Sequence, residues 1–149
     1  GLQMMGISSE EGKLTGLGWI DAINVRFKFG NEESLKIPHM GWNNVQTKKE
    51  SKLLTEMYPD PRFYFVHSYH LKCNNAQDVL LTAHYGYDFV CAIERENIYG
   101  VQFHPEKSHK YGMKLIENFV QSRYSSYAAN KSHTNTSCQE WRTCQNRKI

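Results

Sequence analysis

The chain has 149 residues, enough for one domain with a substantial core. Its 18 basic and 15 acidic residues are interspersed and give a formal net charge of +3, which argues against a nucleic-acid-binding surface. No apolar run approaches the ~20 residues of a membrane span. The 4 cysteines do not form a disulfide pattern. These features predict a cytoplasmic protein in a reducing compartment that binds neither nucleic acid nor membrane.

Apolar alternation predicts a strand along residues 23–29, followed by two more over about 62–71 and 78–85. Between the first and second of these, "HMGWNNV" interrupts the regular pattern, and a short helix is predicted within residues 49–57. Residues 88–104 predict a hairpin that turns around Glu96 and Asn97.

A single helix is predicted to close the chain's ordered part. Ser108 is a candidate helix cap, and one helical face carries Met113, Ile116, Phe119 and Val120. Residues 121–149 lack apolar periodicity and are rich in polar residues, which predicts a disordered tail. We therefore expect an α/β domain over residues 1–120, with a mixed, strand-rich body closed by a C-terminal helix, and a tail over residues 121–149.

The stretch "IYGVQFHPEKS" carries the clearest chemical signal. On an extended chain, His104 and Glu106 are two residues apart and point to the same side. A carboxylate beside an imidazole holds its tautomer and favours the imidazolium that forms after proton transfer. The pattern predicts a general base with its orienting carboxylate, although an isolated His-x-Glu is more often an ordinary surface pair.

Three motifs in chain order resemble class I glutamine amidotransferases, which hydrolyse glutamine with a Cys-His-Glu triad. "GVQFHPEKS" is similar to their His-x-Glu signature. "IPHMGWNNV" and "FYFVHSYH" resemble the glutaminase subunits of imidazole glycerol phosphate synthase, which serves histidine biosynthesis. A paralogous branch that supplies ammonia for amidinating sugars of surface polysaccharides is equally similar. The resemblance covers residues 1–120 and implies that they are the C-terminal part of this domain.

The resemblance also implies where the nucleophile belongs. In this family the nucleophilic cysteine lies in a tight turn of the form Gly-x-Cys-Leu-Gly-x-Gln. The stretch "GLQMMGISSEEG" matches the residues after that cysteine, with Gly1 and Gln3 as the last Gly and Gln. The Cys-Leu pair would directly precede Gly1. His104 would then take the thiol proton and Glu106 would orient His104, while the given chain would itself be inactive.

Further roles follow from the same resemblance. Gln3, Ser68 and Tyr69 would contact the substrate, L-glutamine. The implied partner is an ammonia-accepting synthase (cyclase) subunit in a heterodimer, and no metal or organic cofactor is implied. The segment that would face this partner comprises His39, Gly41, Trp42 and Asn43, with Lys107 nearby.

Three other interpretations compete with this one. Cys91 could replace the missing nucleophile, but its strand-like surroundings favour a buried, inert thiol. A zinc site could draw on His67, His70 and Cys73, joined by His84 and His109, but the first two histidines would face opposite sides of a strand. Finally, the chain could be a non-catalytic fragment that binds a partner.

Overall fold

The computed structural model describes residues 1–30 and 35–122. One sheet contains the eight described strands. They are β1 (Ser8–Ser9), β2 (Ala22–Arg26), β3 (His39–Thr47), β4 (Arg62–His67), β5 (Tyr69–Cys73), β6 (Val79–Tyr85), β7 (Tyr87–Arg95) and β8 (Ile98–Val101). A helix, α1, spans residues 109–122. Four 3-10 turns complete the described elements, at Leu2–Met5, Lys52–Leu54, Ala76–Asp78 and Pro105–Lys107.

The strand order is β1-β2-β5-β7-β6-β3-β4, and β8 pairs with β7. Only the short β1–β2 pair is parallel among the described strands, and the others are antiparallel. After β8, the backbone N–H of His104 donates to the carbonyl of Tyr64 at 2.9 Å. This bond joins the His-x-Glu segment to strand β4.

Strand β4 shows the alternation expected of a sheet with one buried face. Phe63, Phe65 and His67 point into the core, while the residues between them point outward. Phe63 stacks on Phe103 with ring centroids 3.9 Å apart. The main core cluster also contains Phe27, Leu53, Leu80, Leu81, Phe89, Cys91 and Leu115.

The expectation that "HMGWNNV" breaks regular structure is wrong. The stretch lies in β3, where it pairs with β4 from His39↔His67 to Asn44↔Arg62. The residues on its inward side are His39, Gly41 and Asn43, which are polar or small. Because two large apolar residues face outward instead, the hydrophobic pattern is inverted and did not indicate a strand.

The single strand expected over residues 62–71 is divided in two at Ser68. The backbone N–H of Phe27 donates to the carbonyl of Ser68 at 3.0 Å, at the bend between β4 and β5. Because of this bend, the buried side chains of His67 and His70 lie on the same side, and both rings contact Phe27. The expectation that these two histidines face opposite sides is therefore wrong.

The helix forms where it was predicted, but it packs through a different face. Its buried residues include Tyr111, Leu115 and Asn118, whose Nδ2 donates to the carbonyls of Leu53 and Thr55 at 2.9 and 2.8 Å. The predicted apolar face is exposed: Met113, Ile116, Phe119 and Val120.

Two other predictions concern the ends of helical segments. The helix expected within residues 49–57 is reduced to the 3-10 turn Lys52–Leu54, and α1 extends through residue 122. The rest of the expected tail, residues 123–149, lies outside the described residues. None of the described helices is long and apolar enough to cross a bilayer.

Candidate active site

A cavity of about 500 Å³ opens beside the end of β8. Most of its wall comes from three separate parts of the chain: the first turn, the bend between β4 and β5, and the end of β8 with the segment after it. Glu11 also lines the cavity. Four residues predicted from the sequence to act at one site share this cavity, namely Gln3, Ser68, Tyr69 and His104. A volume of several hundred Å³ with convergent polar groups is typical of a small-molecule site.

His104 and Glu106 form a hydrogen bond of 2.9 Å between Nδ1 and Oε1. His104 precedes the 3-10 turn Pro105–Lys107, and Glu106 lies within that turn. The contact is thus made by a turn and not by the extended strand that the sequence suggested. The backbone N–H of Glu106 and, next, the His104 side chain lower the pKa of the Glu106 carboxyl group. With Nδ1 bound to a carboxylate, His104 has Nε2 left for chemistry.

Ser108 holds the backbone around His104. Its buried hydroxyl donates to the carbonyl of His104 at 2.6 Å and accepts from the backbone N–H of Tyr64 at 3.0 Å. Ser108 occupies the position before α1, as expected, but its side chain makes these two bonds instead of a bond to the helix. These bonds fix the segment around His104, the candidate general base, relative to strand β4, although the two are far apart in sequence.

Gln3 is held across the cavity wall by its amide group. Nε2 donates to the carbonyl of Tyr69 at 2.9 Å and to Oε1 of Gln102 at 3.2 Å. The backbone of Gln3 is held in turn by Asn24, whose Nδ2 donates to the Gln3 carbonyl at 2.6 Å. Sequence reasoning did not select Gln102 or Asn24. The position of Gln102 in "GVQFHPEKS", two residues before the base, was the one available signal for it.

The residues expected to face a partner divide between two sides of β3. His39 is buried, with 3% of its surface exposed, and Asn43 is half-buried on the same side. Trp42 is 44% exposed on the other side. Gly41 adopts a φ of +128°, which favours glycine. Lys107 is exposed in the turn after His104.

The outward side of β3 and β4 forms an apolar surface, of which only Trp42 was predicted from the sequence to face a partner. Its members are Met40, Trp42, Tyr64 and Val66, which pair across the two strands as Met40↔Val66 and Trp42↔Tyr64. The Trp42 ring also lies against His109, with ring centroids 5.3 Å apart. This contact places the surface next to the segment that carries His104.

Cys91 is buried in β7, and burial raises the pKa of its thiol far above the ordinary value. Burial, followed by the nearby charges of Asp78 and Asp21, also raises the pKa of Cys73, to about 11. Neither thiol lines the cavity. Neither has the depressed pKa of a cysteine nucleophile.

Three of the histidines considered as zinc ligands make hydrogen bonds within the protein through their ring nitrogens. His67 and His70 use both ring nitrogens in contacts within the protein, and His84 bonds to Asp88 at 2.7 Å. Among the residues that the structure describes, no group of three or more His, Cys, Asp or Glu side chains is arranged to hold a metal ion.

Comparison with known families shows to which family the chain belongs. The family model described as glutamine amidotransferase class-I matches residues 1–123. The chain belongs to the class-I glutamine amidotransferase family. The resemblance of its motifs to that family is thereby confirmed.

Individual curated relatives of the chain within this family are subunits of imidazole glycerol phosphate synthase. The chain is 52% identical over 121 residues to imidazole glycerol phosphate synthase subunit HisH of Leptospira borgpetersenii, covering 80% of this chain and 59% of that protein. Over 120 residues it is 52% identical to subunit HisH 2 of Methanococcus maripaludis, covering 80% and 58%. Subunit HisH 2 of Pseudomonas aeruginosa is 50% identical over 121 residues, with coverage of 81% and 59%. The chain thus spans a little under three fifths of the length of these relatives.

A solved structure from Thermoplasma acidophilum, described as a GMP synthase subunit, shares the fold. It aligns with a TM-score of 0.58 and 21% sequence identity, covering 74% of this chain and 53% of that one. At this identity the likeness concerns the fold alone. It supports the α/β architecture that the sequence predicts.

Proposed function

We propose that this glutamine amidotransferase acts as the glutaminase subunit of imidazole glycerol phosphate synthase. It hydrolyses L-glutamine to glutamate and ammonia and passes the ammonia to a synthase subunit. One observation carries the proposal: Gln3, Ser68, Tyr69 and His104 come from three distant segments and line one cavity. The names of the relatives support the pathway.

The proposed chemistry uses a cysteine thiol two residues before Gly1, and Gly1 lines the same cavity as His104. Nε2 of His104 takes the thiol proton, and the sulfur attacks the side-chain carbonyl carbon of glutamine. His104 then gives the proton to the departing ammonia, leaving a thioester. Water, deprotonated by His104, attacks the thioester and releases glutamate and the thiol. Glu106 keeps the His104 proton on Nδ1 and stabilises the imidazolium.

The outward surface of β3 and β4 is the proposed contact with the synthase subunit. Met40 is 62% exposed and Trp42 is 44% exposed. Both lie on β3, where Met40 pairs with Val66 of β4 and Trp42 pairs with Tyr64 of β4. Interface tryptophans are frequent binding hot spots. The surface adjoins the segment that bears His104, so a partner bound there would lie beside the site that releases ammonia.

The test begins with glutamate release. The segment that precedes the matched region in the Leptospira borgpetersenii relative is fused to Gly1, and release is measured with and without that organism's synthase subunit. The fusion is expected to hydrolyse glutamine, and the 149-residue chain is expected to be inactive under the same conditions. Turnover by the 149-residue chain would contradict the proposed nucleophile, and no turnover by a folded fusion would contradict the proposed activity.

The partner surface is tested with two tryptophans of similar exposure. Trp42→Ala in the fusion is expected to weaken its binding to the synthase subunit by about 10-fold or more. Trp19, which is 50% exposed in another part of the chain, provides the matched control, and Trp19→Ala is expected to leave binding unchanged. Equal affinities for the two variants would contradict the proposed surface.

A further inference from the structure

A chain of hydrogen bonds runs through the core from β3 to the wall of the cavity. Nδ2 of Asn43 lies 3.3 Å from Nε2 of His39, and Nδ1 of His39 lies 2.8 Å from Nε2 of His67. Nδ1 of His67 lies 2.8 Å from the carbonyl of Tyr69. The same carbonyl accepts the bond from Nε2 of Gln3 at 2.9 Å.

Carbonyl groups at both ends determine where each proton lies. Since a carbonyl accepts only, Nδ1 of His67 carries the proton and its Nε2 is an acceptor. Nδ1 of His39 must then donate to that acceptor, which leaves Nε2 of His39 to accept from Asn43. The carbonyl of His84, 2.8 Å from Nδ2 of Asn43, independently fixes the orientation of that amide. In this series of hydrogen bonds, Asn43 therefore donates to His39, His39 donates to His67, and His67 donates to the carbonyl of Tyr69.

Both rings are neutral near neutral pH, as this arrangement requires. Only 3% of His39 and 6% of His67 are exposed. Burial lowers the pKa of each ring to about 4. Aromatic rings confine the pair: His39 stacks on Tyr85 and on Phe65, with centroids 4.1 and 4.9 Å apart.

We propose that His39 and His67 are positioning residues of the glutamine cavity, which fix the Tyr69 carbonyl and, through it, the amide of Gln3. The inference rests on the proposed function for the identity of the substrate. Two buried histidines that only filled the core would need partners for their ring nitrogens, but those partners would have no reason to end at the cavity. Here the last acceptor is shared with a residue that lines the cavity wall.

The proton positions can be read directly from the 149-residue chain labelled with ¹⁵N. Long-range ¹H–¹⁵N correlation of the imidazoles distinguishes the two neutral tautomers. His39 and His67 are both expected to carry their proton on Nδ1 at pH 7. A proton on Nε2 of either ring would overturn the proposal, whatever the chain's activity.

The effect on the cavity is tested at the side-chain amide of Gln3. His39→Leu and His67→Leu are expected to shift its ¹H–¹⁵N resonances. His67→Asn, which keeps a donor near the Nδ1 position, is expected to restore the wild-type shifts in part and keeps the test available if a leucine variant does not fold. His70→Leu is the matched control, because His70 is equally buried but bonds to Leu71 and Tyr87 instead. If His67→Leu and His70→Leu moved the Gln3 resonances equally, the positioning role would be refuted.

In the Leptospira fusion, His67→Leu removes the hydrogen bond to the Tyr69 carbonyl. KM for glutamine is therefore expected to rise about 3- to 10-fold, with kcat within about twofold of the unsubstituted fusion. An unchanged KM in an active fusion would overturn the positioning role. A fusion without any turnover would contradict the proposed function and leave the spectroscopic result to decide the positioning role by itself.

Discussion

His104, which lines the cavity, is joined to Glu106 by a bond of 2.9 Å from Nδ1 to Oε1, made where the chain turns after β8. The lowered pKa of Glu106 keeps it anionic at neutral pH. Glu106→Gln in the Leptospira fusion is therefore expected to reduce kcat about 10²- to 10⁴-fold, because the imidazolium loses its stabilising charge. His104→Ala is expected to remove measurable turnover. Steady-state glutamate release measures both effects.

A second histidine–carboxylate pair provides the control for this prediction. His84 and Asp88 are also bonded through Nδ1, at 2.7 Å, and both are exposed, but neither lines the cavity. Asp88→Asn is expected to leave kcat unchanged. Full activity in Glu106→Gln would remove Glu106 from the proposed triad.

Cys91 is expected to resist alkylation in the folded chain. Burial leaves its thiol protonated and out of contact with solvent. In a variant that retains Cys91 alone, with Cys73, Cys138 and Cys144 changed to serine, iodoacetamide should label the thiol only after a denaturant unfolds the chain. Mass spectrometry measures the labelling. Rapid modification of Cys91 under native conditions would reopen its candidacy as a nucleophile.

The neutral pair His39 and His67 predicts a loss of stability in acid. Their folded-state pKa of about 4 lies below the ordinary value of 6.5. As pH falls from 6.5 towards 4, the unfolded chain therefore binds protons that the folded chain excludes. The free energy of unfolding should decrease over this window by about 1 to 3 kcal/mol per pH unit, and these rings should contribute no further loss below it. Urea denaturation at a series of pH values measures this slope.

Removing one ring of the pair should flatten that dependence. His67→Phe is expected to reduce the slope by about 1 kcal/mol per pH unit, since one proton is no longer taken up on unfolding. The control is a buried residue without a titratable group, and Leu53→Ala should lower stability but leave the slope unchanged. Identical slopes in wild type and His67→Phe would show that burial of this ring does not govern acid stability.

Much of the sheet could be predicted because its strands have apolar residues on the buried side. This applies to β4, β6 and the hairpin of β7 and β8, whose turn falls at Glu96 and Asn97 as expected. Strand β2 forms over Ala22–Arg26 and overlaps the predicted region, but its predicted faces are wrong, because Asn24 is buried and Ile23 is 37% exposed. Strand β3 could not be found in this way, because His39 and Asn43 satisfy their polar groups inside the core through partners on other strands. Such partners are close in space but 28 and 41 residues away in sequence.

The face of α1 was missed for a similar reason. A pattern of apolar residues favours the side with Met113 and Phe119, whereas the packed side includes Asn118, which bonds to two backbone carbonyls. For the candidate site, the motifs indicated His104, Gln3 and Ser68, which do share a cavity. Asn24 and Gln102 were missed because their role depends on which side chain lies opposite them in the folded chain.

Gly112 is predicted to be essential to the relative positions of His104 and Glu106. A Cβ at this position would lie 1.8 Å from the carbonyl oxygen of Pro105 and 2.6 Å from its carbonyl carbon. Since Pro105 joins His104 to Glu106, relief of this overlap would displace the pair. Gly112→Ala should therefore lower the free energy of unfolding by about 1 to 3 kcal/mol and reduce glutamine turnover in the Leptospira fusion.

The control for this substitution is a glycine with open space around it. A Cβ at Gly12 would meet no atom within 4 Å, so Gly12→Ala is expected to change neither stability nor turnover. Urea denaturation midpoints and glutamate release of the two variants are compared under one set of conditions. If Gly112→Ala matched Gly12→Ala in both measurements, the close approach of α1 to Pro105 would not be what holds His104 and Glu106 in place.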